Sequence, residues 1–239
     1  MLRNIKKGLK SMPESNKPIV IGVGGYARSG KDTFVKIARK ILKEHGYSSI
    51  KLAFADTLKD EIDGFLKSNY NISAWTNDDD EKMIIRPFLV AHGCGKRGIS
   101  NGKYWIDKID QLIEGIHFNE DVIFISDCRF PNEVDWVHQK WNGWFVHVKK
   151  YLIKKYDKSS FEWSEKEYKV YDASPNDEET TNDPICEKQA DYRLEMENAI
   201  EKSLRETGVK ITPESLIDNS YLNGEILTCL RKCHLLTLE

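Results

Sequence analysis

Residues 18–33 read Pro18-Ile-Val-Ile-Gly-Val-Gly24-Gly25-Tyr-Ala-Arg-Ser-Gly30-Lys31-Asp32-Thr33. The first seven residues form a continuous apolar run, which is typical of a strand buried on both faces of a parallel sheet. A glycine-rich turn follows, and apolar residues then recur at helical spacing between Phe34 and Leu42. A strand, a glycine-rich turn and a helix in this order predict the beginning of an α/β fold.

The turn has the spacing Gly25-x4-Gly30-Lys31, which is that of a phosphate-binding loop. The two glycines let backbone N–H groups converge on phosphate oxygens, the helix N-terminus adds partial positive charge, and the lysine reaches the terminal phosphates. Asp32 stands where a serine or threonine usually ligates Mg²⁺, and its carboxylate is also an oxygen ligand for a hard cation. The candidate ATP-binding residues are Gly25, Arg28, Ser29, Gly30, Lys31, Asp32 and Thr33.

A second apolar run, Asp121-Val-Ile-Phe-Ile-Ser126, ends at Asp127. Many strands end in an aspartate that only caps a turn or a helix. Beside a phosphate-binding loop, however, such a carboxylate is placed to organise Mg²⁺ and its waters. We therefore expect Asp127 and Asp32 to contact the metal, directly or through water. Arg129, two residues further on, is expected to project from the carboxyl edge of the sheet, where open α/β sheets bind ligands.

The rest of the chain alternates strands and helices up to about residue 208. Further strands are predicted in the segments Ser49–Phe54, Gly143–Val148 and Tyr192–Met196. Residues 56–118 have a mostly helical pattern that is broken by the polar segment Thr76–Asp80 and by a glycine-rich turn at His92–Gly102. Residues 149–189 are charged and lack periodicity, so they are predicted to form a long excursion outside the core. The predicted organisation is a flexible extension at 1–17, one domain at 18–209 and a tail of unassigned role at 210–239.

The composition is that of an ordinary globular domain: 239 residues, 40% hydrophobic residues and a formal net charge of −2. This charge balance argues against a general nucleic-acid binder. No run of 18 apolar residues occurs, so no membrane-spanning helix is predicted. Five scattered cysteines suit a reducing compartment better than a disulfide framework. Cys229, Cys233 and His234 have no second pair of ligands nearby, which favours buried thiols over a zinc site.

Two stretches together, Gly25–Thr33 and Asp127-Cys-Arg-Phe-Pro-Asn-Glu133, resemble the phage-type deoxynucleoside monophosphate kinases, which belong to the P-loop kinases. Weaker similarities are found at Phe54–Lys59, at Arg86–Gly93 with Arg97 and Trp105, and at Ala190–Asn198. The resemblance implies a P-loop kinase fold, an α/β fold with a parallel five-stranded sheet flanked by helices. It also implies that residues 56–118 bind the monophosphate and that residues 149–189, which contain lysines but no arginine, take the lid position.

The function that this resemblance implies is phosphoryl transfer from ATP, with Mg²⁺, to a (deoxy)nucleoside monophosphate. Residues that match or lie near the family motifs are then expected to be catalytic (Lys31, Asp127, Arg129 and Arg86) or to bind the acceptor (Arg86, Arg97, Arg129, Lys59 and Asp56). Arg86 precedes Pro87 and is therefore expected at a helix start, because proline is tolerated in the first turn. Trp75 and Trp105 have the ring area to stack on a base, but burial in the core is the stronger expectation.

Several alternatives stay open at this stage. The same loop serves kinases for other phosphorylated metabolites, such as a coenzyme A precursor or phosphomevalonate, and it serves non-catalytic nucleotide-binding proteins. A GTPase is disfavoured because no Asn-Lys-x-Asp sequence is present, and Gly22-x-Gly24-x-x-Ala27 is a poor dinucleotide-binding fingerprint because its second strand lacks the acidic residue. ATP and a nucleoside monophosphate are the expected partners, with no membrane and no stable nucleic-acid complex. The resemblance also allows a homodimer and a cytoplasmic location, in the host if the chain is viral.

Overall fold

The computed structural model describes residues 17–116, 120–155, 167–171, 177–209 and 214–236. The strands are β1 Ile19–Gly24, β2 Ser49–Leu52, β3 Val122–Cys128, β4 Trp144–Lys155, β5 Glu167–Tyr171 and β6 Tyr192–Glu197. The helices are α1 Lys31–Glu44, α2 Phe54–Tyr70, α3 Asp79–Ile99, α4 Tyr104–Gly115, α5 Pro131–Trp141, α6 Asp177–Gln189, α7 Ala199–Thr207 and α8 Ser220–Lys232, with a 3₁₀ helix at Glu214–Asp218. The predicted extension, up to residue 16, and the middle of the predicted excursion lie outside the described residues.

Among the described residues, five of the six strands run parallel, and all six belong to one sheet. The hydrogen-bonded order is β2-β3-β1-β4, and β6 pairs with β4 in parallel. Strand β5 pairs antiparallel with the C-terminal part of β4, so that Tyr171 faces Tyr151. The expectation of a parallel five-stranded sheet is therefore met in part, because the antiparallel β5 makes the sheet six-stranded and only largely parallel. The chain has an α/β fold with a largely parallel six-stranded sheet flanked by helices.

Helices cover both faces of the sheet because the central strands are apolar on both faces. In β1, Ile21 and Val23 pack with α1 and α8 on one face, whereas Val20 packs with α4 and α5 on the other. In β3, Phe124 faces the first side, and Ile123 and Ile125 face the second side. This alternation follows from the two-residue period of a strand. It explains why the strands appear in the sequence as continuous apolar runs.

The central strand β1 lies at the point where the chain changes direction across the sheet. From β1 the chain passes through α1 to β2 on one side, and from β3 it passes through α5 to β4 on the other side. In open α/β sheets, such a switch point opens a crevice at the carboxyl ends of the strands, and ligands bind there. The parallel register pairs Gly24 with Cys128. The glycine-rich turn and the segment around Asp127 are thereby brought to the same edge.

The structure corrects the prediction for the region before β3. Helix α3 runs from Asp79 to Ile99 and continues through Pro87, so Arg86 lies in mid-helix and not at a helix start. The glycine-rich turn predicted at His92–Gly102 is helical as far as Ile99. Each of Gly93, Gly95 and Gly98 costs a helix about 1 kcal/mol relative to alanine. The packing of α3 on α2 and α4, which buries Ile85, overrides this local preference.

The predicted excursion at 149–189 is also partly wrong, because much of its described part is regular structure. Strand β4 continues to Lys155, β5 pairs with it, and α6 packs against α5 and the sheet. Cys186 of α6 is buried in the same cluster as the α5 side chains. No helical periodicity was visible because the inner face of α6 is partly acidic, with Glu179 and Asp183 both buried.

The C-terminal helix α8, which lies in the tail to which the sequence assigns no role, packs on α1. Its buried side chains include Leu230, Cys229 and, just beyond the helix, Cys233, all in the cluster that contains α1 and β1. The two thiols are therefore core side chains. Within the described residues, no helix combines the length and the apolar character needed to cross a membrane.

Candidate functional site

The glycine-rich turn between β1 and α1 is closed by residues that tolerate unusual backbone angles. Gly25 has φ +125°, and a Cβ atom there would overlap the carbonyl oxygen of Val148. Gly30 has φ +99° and is the N-cap of α1. Arg28 also lies in the left-handed region, with φ +64°. These angles fold the turn tightly over the start of α1. Such a fold is required of a loop whose N–H groups converge on an anion.

The side chain of Lys31 is folded into this loop. Its Nζ donates hydrogen bonds to the carbonyl oxygens of Gly25 and Tyr26, each at 2.6 Å. Burial lowers the pKa of the Lys31 ammonium and the nearby Arg129 guanidinium lowers it further, while Glu179 and Asp127 oppose the change. Because the parallel register pairs Gly24 with Cys128, Lys31, Asp127 and Arg129 lie at one edge of the sheet, within electrostatic range of one another and of Glu179.

Asp127 has a structural partner that the sequence did not reveal. Its Oδ1 accepts a hydrogen bond from the Phe54 N–H at 2.8 Å, and its Oδ2 accepts one from the Ala55 N–H at 2.9 Å. These are the first two N–H groups of α2, so Asp127 caps that helix from the end of β3. Burial raises the pKa of the Asp127 carboxyl, and the two N–H donors oppose that rise. Asp127 therefore caps a helix, which is one of the two roles that an aspartate at the end of a strand can have.

Arg129 extends from the edge of the sheet toward α6. Its Nη1 lies 3.3 Å from Oε1 of Glu179, and Oε2 of the same carboxylate accepts a hydrogen bond from the Ala27 N–H of the loop at 3.0 Å. The guanidinium of Arg129 does not pair with Glu133, a carboxylate near it in the sequence: the backbone N–H of Arg129 donates to the Glu133 carboxylate, at 2.8 Å.

Glu133, the last residue of the Asp127–Glu133 motif, has a structural role together with Arg97. The buried Glu133 carboxylate accepts the Phe130 N–H at 3.1 Å at the start of α5, and it pairs with Nη2 of Arg97 at 2.7 Å. The Arg97 guanidinium also lies 3.4 Å from the centre of the Phe130 ring. Burial raises the pKa of Glu133, and Arg97 opposes the rise. Arg97, an expected acceptor-binding residue, is therefore engaged in holding α3 to α5.

The residues around the loop fit a magnesium ion that arrives with ATP. Asp127 uses two of its roughly four acceptor positions, which leaves oxygen lone pairs for a hard cation or its water. The nearby Asp56 also raises the pKa of Asp127. Asp32, by contrast, is exposed and accepts a hydrogen bond from Lys51 Nζ at 2.8 Å. The Ser29 hydroxyl is buried in the loop without a hydrogen-bond partner among the described residues.

A metal ion can also be held by protein side chains alone, without a nucleotide. In the part of the chain that the structure describes, no group of three or more histidine, cysteine, aspartate or glutamate side chains could hold an ion. Magnesium bound with a nucleotide takes most of its oxygens from phosphates and water. The residues therefore fit a nucleotide-bound ion with one protein carboxylate, and Asp127 is the better placed of the two expected ligands.

The expected acceptor-binding residues on α2 and α3 are spread over a wider area. Arg86 is exposed in mid-helix, and Lys59 Nζ lies 4.7 Å above the ring of Trp75. Trp75 is 44% exposed, against the expectation that it would be buried. Trp105 is 2% exposed and donates to the carbonyl oxygen of Gly93, so it belongs to the core. Of these two tryptophans, Trp75 is thus the one with an exposed ring.

Glu179 is the site residue that the sequence reasoning missed. It lies in a segment without apolar periodicity, which is why that segment was predicted to lie outside the core. One signal was present, because Glu179, Asp183 and Glu187 are spaced four residues apart. On α6 they share one face, where Asp183 contacts His147 and Glu187 contacts Lys149.

No family model matches the sequence, and no curated protein matches it. Among solved structures, the crystal structure of APE1195 is similar at a TM-score of 0.31 and 15% identity, over 56% of this chain and 62% of APE1195. The crystal structure of TT1252 from Thermus thermophilus is similar at a TM-score of 0.36 and 14% identity, over 90% of this chain and 98% of that protein. Similarities of this size carry no argument about function. The fold described above therefore rests on the strand order and packing of this chain alone.

Proposed function

We propose that the protein is a P-loop kinase that transfers the γ-phosphoryl group of ATP to the phosphate of a nucleoside monophosphate, with a deoxynucleotide as the favoured acceptor. The observation that supports this most directly is the convergence of Lys31, Asp127 and Arg129 at the glycine-rich turn. All three lie at the switch point of a largely parallel sheet. The proposal also draws on the resemblance of both motifs to phage-type monophosphate kinases.

The acceptor in this reaction is already an oxyanion, so no residue has to remove a proton from a hydroxyl group. The protein has instead to overcome the repulsion between two anionic phosphates and hold them in line. In the proposed reaction, loop N–H groups and the α1 N-terminus bind the β- and γ-phosphates. Lys31 leaves the carbonyl oxygens of Gly25 and Tyr26 and neutralises the charge on the transferred group.

The remaining roles follow from charge and position. Asp127 would hold the magnesium ion of ATP, which supplies positive charge between the phosphates. Arg129 would bind the acceptor phosphate with its planar pair of N–H donors. Trp75, with Lys59 beside it on α2, offers an exposed ring on which a nucleobase can stack. In this proposal Arg97 positions α3 and does not touch the acceptor.

The proposal is tested by measuring ADP release with ATP and Mg²⁺ across the four common deoxynucleoside monophosphates and their ribose counterparts. Dephospho-coenzyme A and phosphomevalonate belong in the same panel, because a kinase for another phosphorylated metabolite is the nearest alternative. We expect turnover with one or more nucleoside monophosphates that exceeds turnover with either metabolite. Turnover with a metabolite alone would contradict the proposed acceptor, and ATP binding without turnover on any acceptor would favour a non-catalytic nucleotide-binding protein.

A further inference from the structure

The buried carboxylate of Glu179 is bound by two donors that a phosphate group would use. Its Oε2 accepts a hydrogen bond from the Ala27 N–H of the loop at 3.0 Å, and its Oε1 lies 3.3 Å from Nη1 of Arg129. The Glu179 side chain is 6% exposed, whereas that of Arg129 is 48% exposed. A loop N–H together with an arginine guanidinium is a donor set that suits phosphate oxygens as well as carboxylate oxygens.

Helix α6 holds this carboxylate in place from its own buried face. One turn beyond Glu179, Oδ1 of Asp183 lies 2.9 Å from Nε2 of the buried His147 on β4. A turn further on, Glu187 pairs with Lys149 at 2.6 Å, and Cys186 is buried between these contacts. The middle and end of α6 are therefore anchored on the sheet, and Glu179 lies in the first turn, where the helix meets the loop.

A polyphosphate on the loop would bring negative charge next to this carboxylate. Glu179 is near enough to Lys31 to oppose the lowering of the lysine pKa by burial and by Arg129. The single Ala27 N–H can donate to only one of two anions, and although the Arg129 guanidinium has further donors, like charges in a buried site repel strongly. A phosphate that binds to the Ala27 N–H therefore has to replace the carboxylate there.

We propose that the Ala27 N–H and the Arg129 guanidinium form a phosphate subsite, which Glu179 fills in the ligand-free chain and which a polyphosphate ligand occupies by displacing the carboxylate. The inference rests on the proposed function for the identity of that ligand as a nucleotide. Displacement involves the first turn of α6, while the contacts of Asp183 and Glu187 remain.

The test is calorimetric titration of the full chain with inorganic pyrophosphate and with ADP, for the wild type, Glu179→Gln and the control Glu178→Gln. The control removes the same charge from an exposed neighbour in the same helical turn. We expect Glu179→Gln to bind both ligands at least tenfold more tightly than the wild type and Glu178→Gln to stay within about twofold. Unchanged or weaker binding by Glu179→Gln, or no binding by any of the three proteins, would overturn the subsite.

A second measurement uses the wild-type chain, so it tests the displacement of Glu179 even if the Glu179 variant does not fold. Amide hydrogen exchange of residues 181–183, whose N–H groups bond to the first turn of α6, is expected to accelerate when pyrophosphate binds, with residues 186–189 unchanged. Slower or equal exchange at 181–183 would overturn the displacement. Neither experiment depends on phosphoryl transfer. A chain that binds pyrophosphate as expected but turns over no acceptor keeps the subsite and refutes the proposed kinase function.

Discussion

Lys31 is a largely buried cation whose ammonium group contacts its own loop. It donates hydrogen bonds to the carbonyl oxygens of Gly25 and Tyr26, which would otherwise face a partly dry interior. Burial lowers its pKa because the charged form is less well solvated there. In the proposed function, a phosphate of ATP is the anion that this cation binds.

The variant Lys31→Ala is expected to lower kcat/KM for ATP-dependent turnover by more than a hundredfold, because the charge that neutralises the transferred group is lost. Lys36→Ala, which removes an exposed lysine from the same helix, is the matched control and should leave kcat/KM within about twofold. Steady-state kinetics with the best acceptor make the comparison. Retention of activity within about tenfold, or ~1.4 kcal/mol of transition-state stabilisation, would contradict the catalytic role.

Arg129→Lys is expected to raise KM for the monophosphate and lower kcat, with kcat/KM reduced by at least about tenfold, while the affinity for ATP, to which Arg129 contributes in the phosphate subsite proposed above, falls less. Lysine keeps the charge but loses the two-point geometry of the guanidinium. Arg39→Lys, at an exposed arginine of α1 that donates to Ser49, is the control. Separate titrations measure the affinity for ATP and the affinity for the monophosphate. An equal reduction of both affinities would argue against acceptor recognition by Arg129.

Asp127→Asn is expected to shift the magnesium dependence of turnover to higher concentrations, because an amide oxygen is a poorer ligand for a hard cation than a carboxylate. The variant is to be compared by magnesium titration at saturating ATP. A curve that coincides with that of the wild type would leave Asp127 with its capping role alone.

At the scale of elements, the same aspartate joins β3 to the start of α2. Two N–H groups of α2 bond to the Asp127 carboxylate, and the residue at the N-cap position, Ala53, has no side chain that could replace it. A carboxylate at this end of a helix also interacts favourably with the helix dipole. The segment expected to bind the monophosphate is thus attached to the sheet edge at the expected metal ligand.

Asp127→Ala is accordingly expected to lower the free energy of unfolding by about 1–2 kcal/mol, the usual cost of losing an N-cap. Asp107→Ala removes an exposed aspartate from the first turn of α4 and should cost less. Urea denaturation monitored by circular dichroism gives both values. A loss for Asp127→Ala no larger than that for Asp107→Ala would show that the cap contributes little to stability.

At the scale of the whole molecule, the C-terminal segment is part of the core that supports the loop. Helix α8 packs on α1, whose N-terminus carries Lys31, and their apolar side chains form one cluster with β1. The position of the glycine-rich turn therefore depends on residues some two hundred positions later in the chain. A helix with this role is expected to contribute to global stability.

Leu230→Ala is expected to lower the free energy of unfolding by about 2–4 kcal/mol, because the leucine is fully buried and its removal leaves a cavity. Tyr221→Ala, at a residue of the same helix that is 46% exposed, should cost clearly less. Chemical denaturation curves compare the two variants. A loss below about 1 kcal/mol for Leu230→Ala would indicate that α8 is not required for the stability of the core.

The sequence by itself determined the strand–loop–helix at residues 18–44 and the strand that ends at Asp127, because buried parallel strands and a Gly-x4-Gly-Lys turn have local signatures. It also placed Lys31, Asp127 and Arg129 as neighbours, since parallel strands bring their carboxyl ends to one edge. Only the tertiary structure decided that α3 continues through Pro87, that Asp127 caps α2, and that Glu179 meets Ala27 and Arg129. Those features depend on contacts between residues far apart in the chain, for which local propensity and spacing contain no information.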